Sequence, residues 1–281
     1  AHVWIDLTHL PAEVHEKQIP EVSSFFKRYV NLDTKTDLCP VRPSNHYHMG
    51  GIPTNAWGEI EDQNRRIIAG LYAAGECAAA SFHGFNRLGT NSILELITMG
   101  SLVGKRVVEY LKQQPESHHD PTPESFPKKF SEYLASGGTE SIGKLRSRLR
   151  TVMTDKVSVF RTEESIAEAI ETIEDIEERT GKIAIANRRL PMNQELLQRW
   201  ELDNLLLVAK SICHGARYRK ESRGAHFRDD YNNRLAEFNH HTLIGIDSSG
   251  ACHLQRREID MSIFEAGGEH SAHFDFIERS Y

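Results

Sequence analysis

The feature that most constrains the fold is a change of pattern near residue 113. Before it, short apolar runs alternate with glycine and proline. Beyond it, apolar residues recur at helical spacing through to about residue 219. The stretch between them, Gln113–Glu124, holds three prolines and two histidines and reads as a linker. The chain is therefore expected to be mixed, α+β, with a strand-and-turn part followed by a helical part.

In the first part, Val3–Leu7 reads as a strand and Ile19–Tyr29 as a short helix. A proline-bearing segment, Cys39-Pro40-Val41-Arg42-Pro43, follows. Ile67-Ile68 and Leu71–Ala74 are apolar runs bounded by glycines and read as buried strands. Gly75 to Asn91 reads as a loop. Ser92 is then a candidate helix N-cap, because Ile93, Leu96, Ile97, Gly100 and Val103 continue at helical spacing to Leu111.

In the second part, four segments show helical periodicity: Lys128–Ala135, Ile142–Met153, Glu163–Arg179 and Gln194–Arg219. Thr162 is the expected N-cap of the third, whose stripe is Ile166, Ile170, Ile173. Leu202, Leu205, Leu206, Ala209 and Ile212 line the fourth. Short connections between four helices predict a small antiparallel bundle. The tail from residue 221 reads as largely irregular, with a strand pair at Thr242–Ile246 and Glu258–Ser262.

Composition narrows the function classes. A net charge of -6 and a pI near 6.2 lack the basic bias of a nucleic-acid binder, so no nucleic-acid partner is expected. No apolar run approaches the ~20 residues of a membrane span, and no charged n-region with an apolar block opens the chain. The four cysteines, Cys39, Cys77, Cys213 and Cys252, form no C-x-x-C pair and suggest a reducing compartment. The fifteen histidines form no metal-ligand spacing, so no metal is expected. The chain opens at Ala1 almost within its first strand, which reads as the start of a fragment.

Three stretches carry candidate chemistry. In Asn45-His46-Tyr47-His48-Met49-Gly50-Gly51, the glycine pair allows close backbone approach and His46 can donate to a carboxylate; a surface loop with two histidines is the plain alternative. In Gly70-Leu71-Tyr72-Ala73-Ala74-Gly75-Glu76, an acid after an apolar strand suits ribose or ribityl hydroxyls; a solvated glutamate is the alternative. In His83-Gly84-Phe85-Asn86-Arg87-Leu88-Gly89-Thr90-Asn91-Ser92, the loop feeds a helix N-terminus, whose free N–H groups favour negative charge. Arg87 there offers a planar fork for a carboxylate; a surface arginine in an Asn/Gly turn is the alternative.

Taken in order, these stretches resemble the flavoprotein subunits of succinate dehydrogenase and fumarate reductase. That family shows H-Y-x-M-G-G-I, G-L-Y-A-x-G-E and H-G-x-N-R-L-G-x-N-S. A fourth stretch, Arg219-Lys220-Glu221-Ser222-Arg223-Gly224-Ala225-His226, resembles the family's R-x-E-S-R-G-A-H. The resemblance implies that His46 and Arg87 bind the dicarboxylate, succinate or fumarate. It implies that Glu76, Asn91, Ser92 and Ile93 bind FAD, with Glu76 at the ribose and Ser92 and Ile93 at the isoalloxazine. The implied reaction is hydride transfer between flavin N5 and a substrate carbon, with electrons passed to an iron–sulfur subunit. Membrane-anchor subunits are implied indirectly, with the protein peripheral on the cytoplasmic side of the inner or cell membrane.

Phe85 stands where the family most often has alanine, and Thr90 where Gly or Ser is usual. The family's G-x-G-x-x-G loop, its flavin-linking histidine and its proton-donor arginine are expected upstream of Ala1, so no catalytic proton donor is assigned here. By resemblance, residues 1–44 close a capping domain, and 45–112 form the C-terminal part of a Rossmann-like FAD-binding domain. Residues 125–220 form the helical domain and 221–281 a small C-terminal module. Arg223 is expected to form a buried bridge to a glutamate. L-Aspartate oxidase, which shares the H-Y and H-G-x-N-R stretches, and a non-catalytic piece that docks to partner subunits are the competing readings.

Overall fold

The computed structural model describes residues 2–42, 44–114 and 125–259. The chain divides into two compact units, residues 1–46 and 47–281.

In the first unit, β1 (Val3–Ile5) pairs antiparallel with β2 (Cys39–Val41), Val3 opposite Val41 and Ile5 opposite Cys39. The expected helix at Ile19–Tyr29 is two pieces, and another helix precedes it. α1 (Ala12–Lys17) comes first. α2 (Pro20–Phe25) then starts with proline in its first turn, where the missing N–H costs nothing. A π-helical turn, Phe26–Val30, extends α2 and stops at Asn31 in the left-handed conformation (φ 58°). Buried His15 bonds Thr34 through Nδ1 at 2.9 Å, and Thr34 donates to Ser23, while His15 Nε2 is buried without a hydrogen-bond partner.

The second unit opens with two small sheets. β3 (Ile52–Pro53) runs parallel to β6 (Ala78–Ala79), and β4 (Glu59–Glu61) runs antiparallel to β5 (Ile67–Tyr72) with a register shift. The two runs expected as buried strands are thus one strand, β5, and most of it is exposed. Among the described residues β5 pairs only with β4, and a two-stranded ribbon cannot bury both faces. α3 (Asn91–Gln113) follows. Its N-cap is Thr90, not Ser92. Thr90 is left-handed (φ 65°) and its hydroxyl turns back to the Gly89 carbonyl, so it makes no side-chain cap.

The helical part matches its periodicity. α4 (Ser125–Ala135), α5 (Ile142–Lys156), α6 (Glu163–Thr180) and α7 (Gln194–Tyr218) share one apolar core. Leu145, Ile166, Ile173, Ile176, Leu202 and Cys213 are essentially inaccessible to solvent. Burying a side chain of this size stabilises by about 1.5–3 kcal/mol. Thr162 caps α6 in a reciprocal box with Ser165, and Asn193 caps α7 by accepting the Leu196 N–H at 3.0 Å.

The tail forms a hairpin, β7 (His240–Ile246) with β8 (Cys252–Glu258), His240 opposite Glu258 and Ile246 opposite Cys252. The second strand therefore precedes the expected Glu258–Ser262. Asp247 accepts N–H groups from Ser249 and Ala251, so the chain reverses at once. Residues 260–262 of that expectation lie outside the described residues, as does all but the start of the Gln113–Glu124 linker. The hairpin grips the β4–β5 ribbon: Arg257 bonds Glu61 at 2.9 Å and Arg65 bonds the Glu258 carbonyl at 2.7 Å. Among the described residues no helix is long and apolar enough to cross a membrane.

Candidate active site

The site in the second unit is assembled by close backbone approaches. Gly51 adopts φ 142°, and a Cβ there would stand 2.3 Å from the Cys77 carbonyl oxygen. Only glycine lets the 47–52 segment lie against the turn after β5. The pairing then continues through the Ile52 N–H to Cys77 O at 2.8 Å. Glu76, in that turn, accepts the His48 N–H at 2.9 Å. The first two sequence motifs are therefore joined through Glu76 itself, and its carboxylate remains largely exposed.

The third motif, the 83–92 loop, is anchored on both sides. On one side His83 Nε2 lies 2.8 Å from Glu95 Oε2, and the Tyr47 hydroxyl donates to the same oxygen at 3.3 Å. Burial, and then the neighbouring Glu95 carboxylate, raise the Tyr47 phenol above its ordinary range, so it stays protonated and donating. On the other side the Phe85 carbonyl accepts the Ala225 N–H at 2.8 Å, and the Arg219 guanidinium lies 4.4 Å above the Phe85 ring. A Cβ on Gly224 would come within 2.6 Å of the Phe85 carbonyl oxygen.

Arg87 projects from this loop, half-buried, with its Cζ 4.6 Å from the centre of the Tyr47 ring. The ring covers the face of the guanidinium. Its N–H edge is poorly used: Nη1 reaches the Leu88 carbonyl at 3.4 Å, and Nε is buried without a hydrogen-bond partner. A buried donor left without an acceptor costs about 1–3 kcal/mol, so this edge is suited to an incoming carboxylate. Asn91, Ser92 and Ile93 form the first turn of α3, which carries no side-chain cap. Ile93, 59% exposed, and Leu94 offer apolar surface beside that end, where the Asn91 and Ile93 N–H groups bond the Leu88 and Thr90 carbonyls. An exposed carboxylate, the positive dipole end of a helix and flanking apolar side chains fit a flavin nucleotide in kind. His46 is exposed and closes the first unit.

The fourth motif is a buried charge network. Glu221 is fully buried and takes both arms of Arg223, at 2.9 and 3.2 Å, together with Arg219 at 2.6 Å. Burial alone would raise its carboxyl. The bonds from Arg223, the Leu235 N–H and Arg219 outweigh it and hold the group below its ordinary range. His226 bonds the Arg219 carbonyl and faces Arg161; burial first, then the surrounding arginines, hold it neutral with a pKa down to about 4. The expected Arg223–glutamate bridge is present. Its link to the Arg87 loop through Phe85 was not expected, nor were Tyr47, His83 and Glu95. Glu95 had a visible signal: it is the lone charge in the apolar run Ile93–Gly100.

Residues 146–281 match the family described as fumarate reductase flavoprotein C-term, and residues 1–93 match the FAD binding domain family. The succinate dehydrogenase flavoprotein subunit of Rickettsia bellii is 36% identical over 270 residues, covering 93% of this chain and 45% of the relative. The mitochondrial succinate dehydrogenase [ubiquinone] flavoprotein subunit of Oryza sativa is 37% identical over 241 residues, covering 83% and 38%. A solved quinol fumarate reductase of E. coli superimposes with a TM-score of 0.84 at 32% identity, over 92% of this chain and 44% of that one. The chain thus spans less than half the length of the relatives it matches. On its motifs, its fold and these likenesses, the chain belongs to the family of succinate dehydrogenase and fumarate reductase flavoprotein subunits, and carries that family's C-terminal region.

Proposed function

We propose that this chain contributes part of the dicarboxylate and flavin site of an oxidoreductase that interconverts succinate and fumarate. The single observation carrying the reading is Arg87: its face is covered by Tyr47, while its N–H edge, with Nε buried and unpartnered, is left for a carboxylate. His46 would bind the same substrate. Glu76 would hold the FAD ribose, and Asn91, Ser92 and Ile93 the isoalloxazine edge, where the α3 N-terminus favours negative charge. When bound, FAD supplies the acceptor or donor of hydride. The chain's own residues fix the substrate's orientation and stabilise its charge.

The division after His46 supports a boundary between a capping-domain end, residues 1–44, and the C-terminal part of a Rossmann-like FAD domain, residues 45–112. Residues 125–220 are the helical domain and 221–281 the C-terminal module. In the assembled enzyme an iron–sulfur subunit would take the electrons, with quinone-reactive membrane anchors beyond it. The protein would sit peripherally on the cytoplasmic side of the membrane. The test is Arg87→Lys in the full-length flavoprotein. Turnover of succinate should fall at least about a hundredfold with FAD content retained, because a point charge cannot reproduce the fork. Near-normal succinate turnover, or activity on aspartate with oxygen in its place, would overturn the assignment.

A further inference from the structure

Arg87 sits in a loop with glycines at 84 and 89, where a long 3.4 Å bond to the adjacent Leu88 carbonyl holds the side chain only weakly. What fixes it is the Tyr47 ring, and what fixes the ring is a buried cluster remote in sequence. Glu95, 2% exposed, holds the Tyr47 hydroxyl and His83 Nε2 on one oxygen. The His83 ring, with 9% of its side chain exposed, stands edge-on to Tyr47 at 5.3 Å and 85° and edge-on to Phe82 at 5.1 Å and 88°. His83 Nδ1 is buried without a hydrogen-bond partner, so Nε2 is the one ring nitrogen tied to the cluster.

We infer that Tyr47, Glu95 and His83 form a positioning triad for Arg87, which aims its free N–H edge at a dicarboxylate; this rests on the function proposed above. Two physical effects act together. A guanidinium stacked on an aromatic face loses freedom out of plane but none of its in-plane donors. A carboxylate accepting a hydrogen bond from the phenol makes the ring more electron-rich and the face more attractive to a cation. Glu95 therefore acts on Arg87 through the ring without an ion pair that would occupy the donors.

The test uses full-length, FAD-loaded protein and the change in flavin absorbance on titration with fumarate. Removing the aromatic face in Tyr47→Leu should weaken fumarate binding about tenfold, in keeping with a desolvated cation–π contact. Tyr47→Phe keeps the face and should stay within about threefold of the parent, and the isosteric Glu95→Gln should fall between. A merely structural role would make Leu and Phe at 47 equivalent, and equal affinities for the two would overturn the inference. Should Tyr47→Leu not fold, Glu95→Gln binding fumarate as tightly as the parent overturns it instead. Arg87→Lys separates the two claims. If it too binds like the parent, the dicarboxylate reading has failed; if it alone loses affinity, only the triad has.

Discussion

α6 and the first half of α3 both carry large aliphatic residues, yet they use them differently. In α6, Ile166, Ile173 and Ile176 are wholly buried against α5 and α7. In α3, Ile93, Leu94, Leu96 and Ile97 are all exposed, Ile97 by 69%, while the one residue buried is the charged Glu95. A periodic apolar stripe therefore marks a core only where a partner helix supplies the opposite face. Where the buried position is an acid, the helix is organised around polar neighbours, here Tyr47 and His83. Stability should reside in the first region and recognition in the second.

Paired truncations give the largest expected contrast. Ile173→Ala should destabilise by about 2–5 kcal/mol, the cost of a cavity in a closed core. Ile97→Ala should change stability by less than about 0.5 kcal/mol. Chemical denaturation of both variants checks this, and equal losses would break the comparison. Acid should act next. His226 is held neutral in the fold at about 4 against an ordinary 6.5, so its contribution is complete above pH 6.5. As pH falls the unfolded chain takes up a proton first, and stability declines by up to about 1.4 kcal/mol per pH unit until near pH 4. His226→Gln should flatten the dependence of the melting temperature on pH between 6.5 and 4. A smaller loss than that of Ile173→Ala is expected at a cap: Thr162→Ala should lower stability by about 1 kcal/mol, read from the same denaturation curves, and leave fumarate affinity unchanged.

The sequence made legible what is local. Ile166, Ile170 and Ile173 lie on one face because the helical period puts them there, and Thr162 caps because its hydroxyl reaches Ser165 three residues on. Arg87 stood out from its glycine- and asparagine-bearing loop. What stayed hidden depends on pairings across long separations. Tyr47 meets Glu95 over 48 residues, and the Phe85 carbonyl meets Ala225, which no period encodes. Thr90 displaced Ser92 as the cap through its left-handed backbone. β8 began early because Asp247 closes the hairpin on the spot.

The Ala225–Phe85 hydrogen bond gives the loop a built-in reporter. While the Arg87 loop is seated, the Ala225 amide hydrogen is engaged by the Phe85 carbonyl, with Gly224 packed against the same oxygen. Deuterium can replace it only when the loop lifts away. The exchange rate at this single amide, well over a hundred residues from Arg87 along the chain, therefore counts how often the arginine leaves its station.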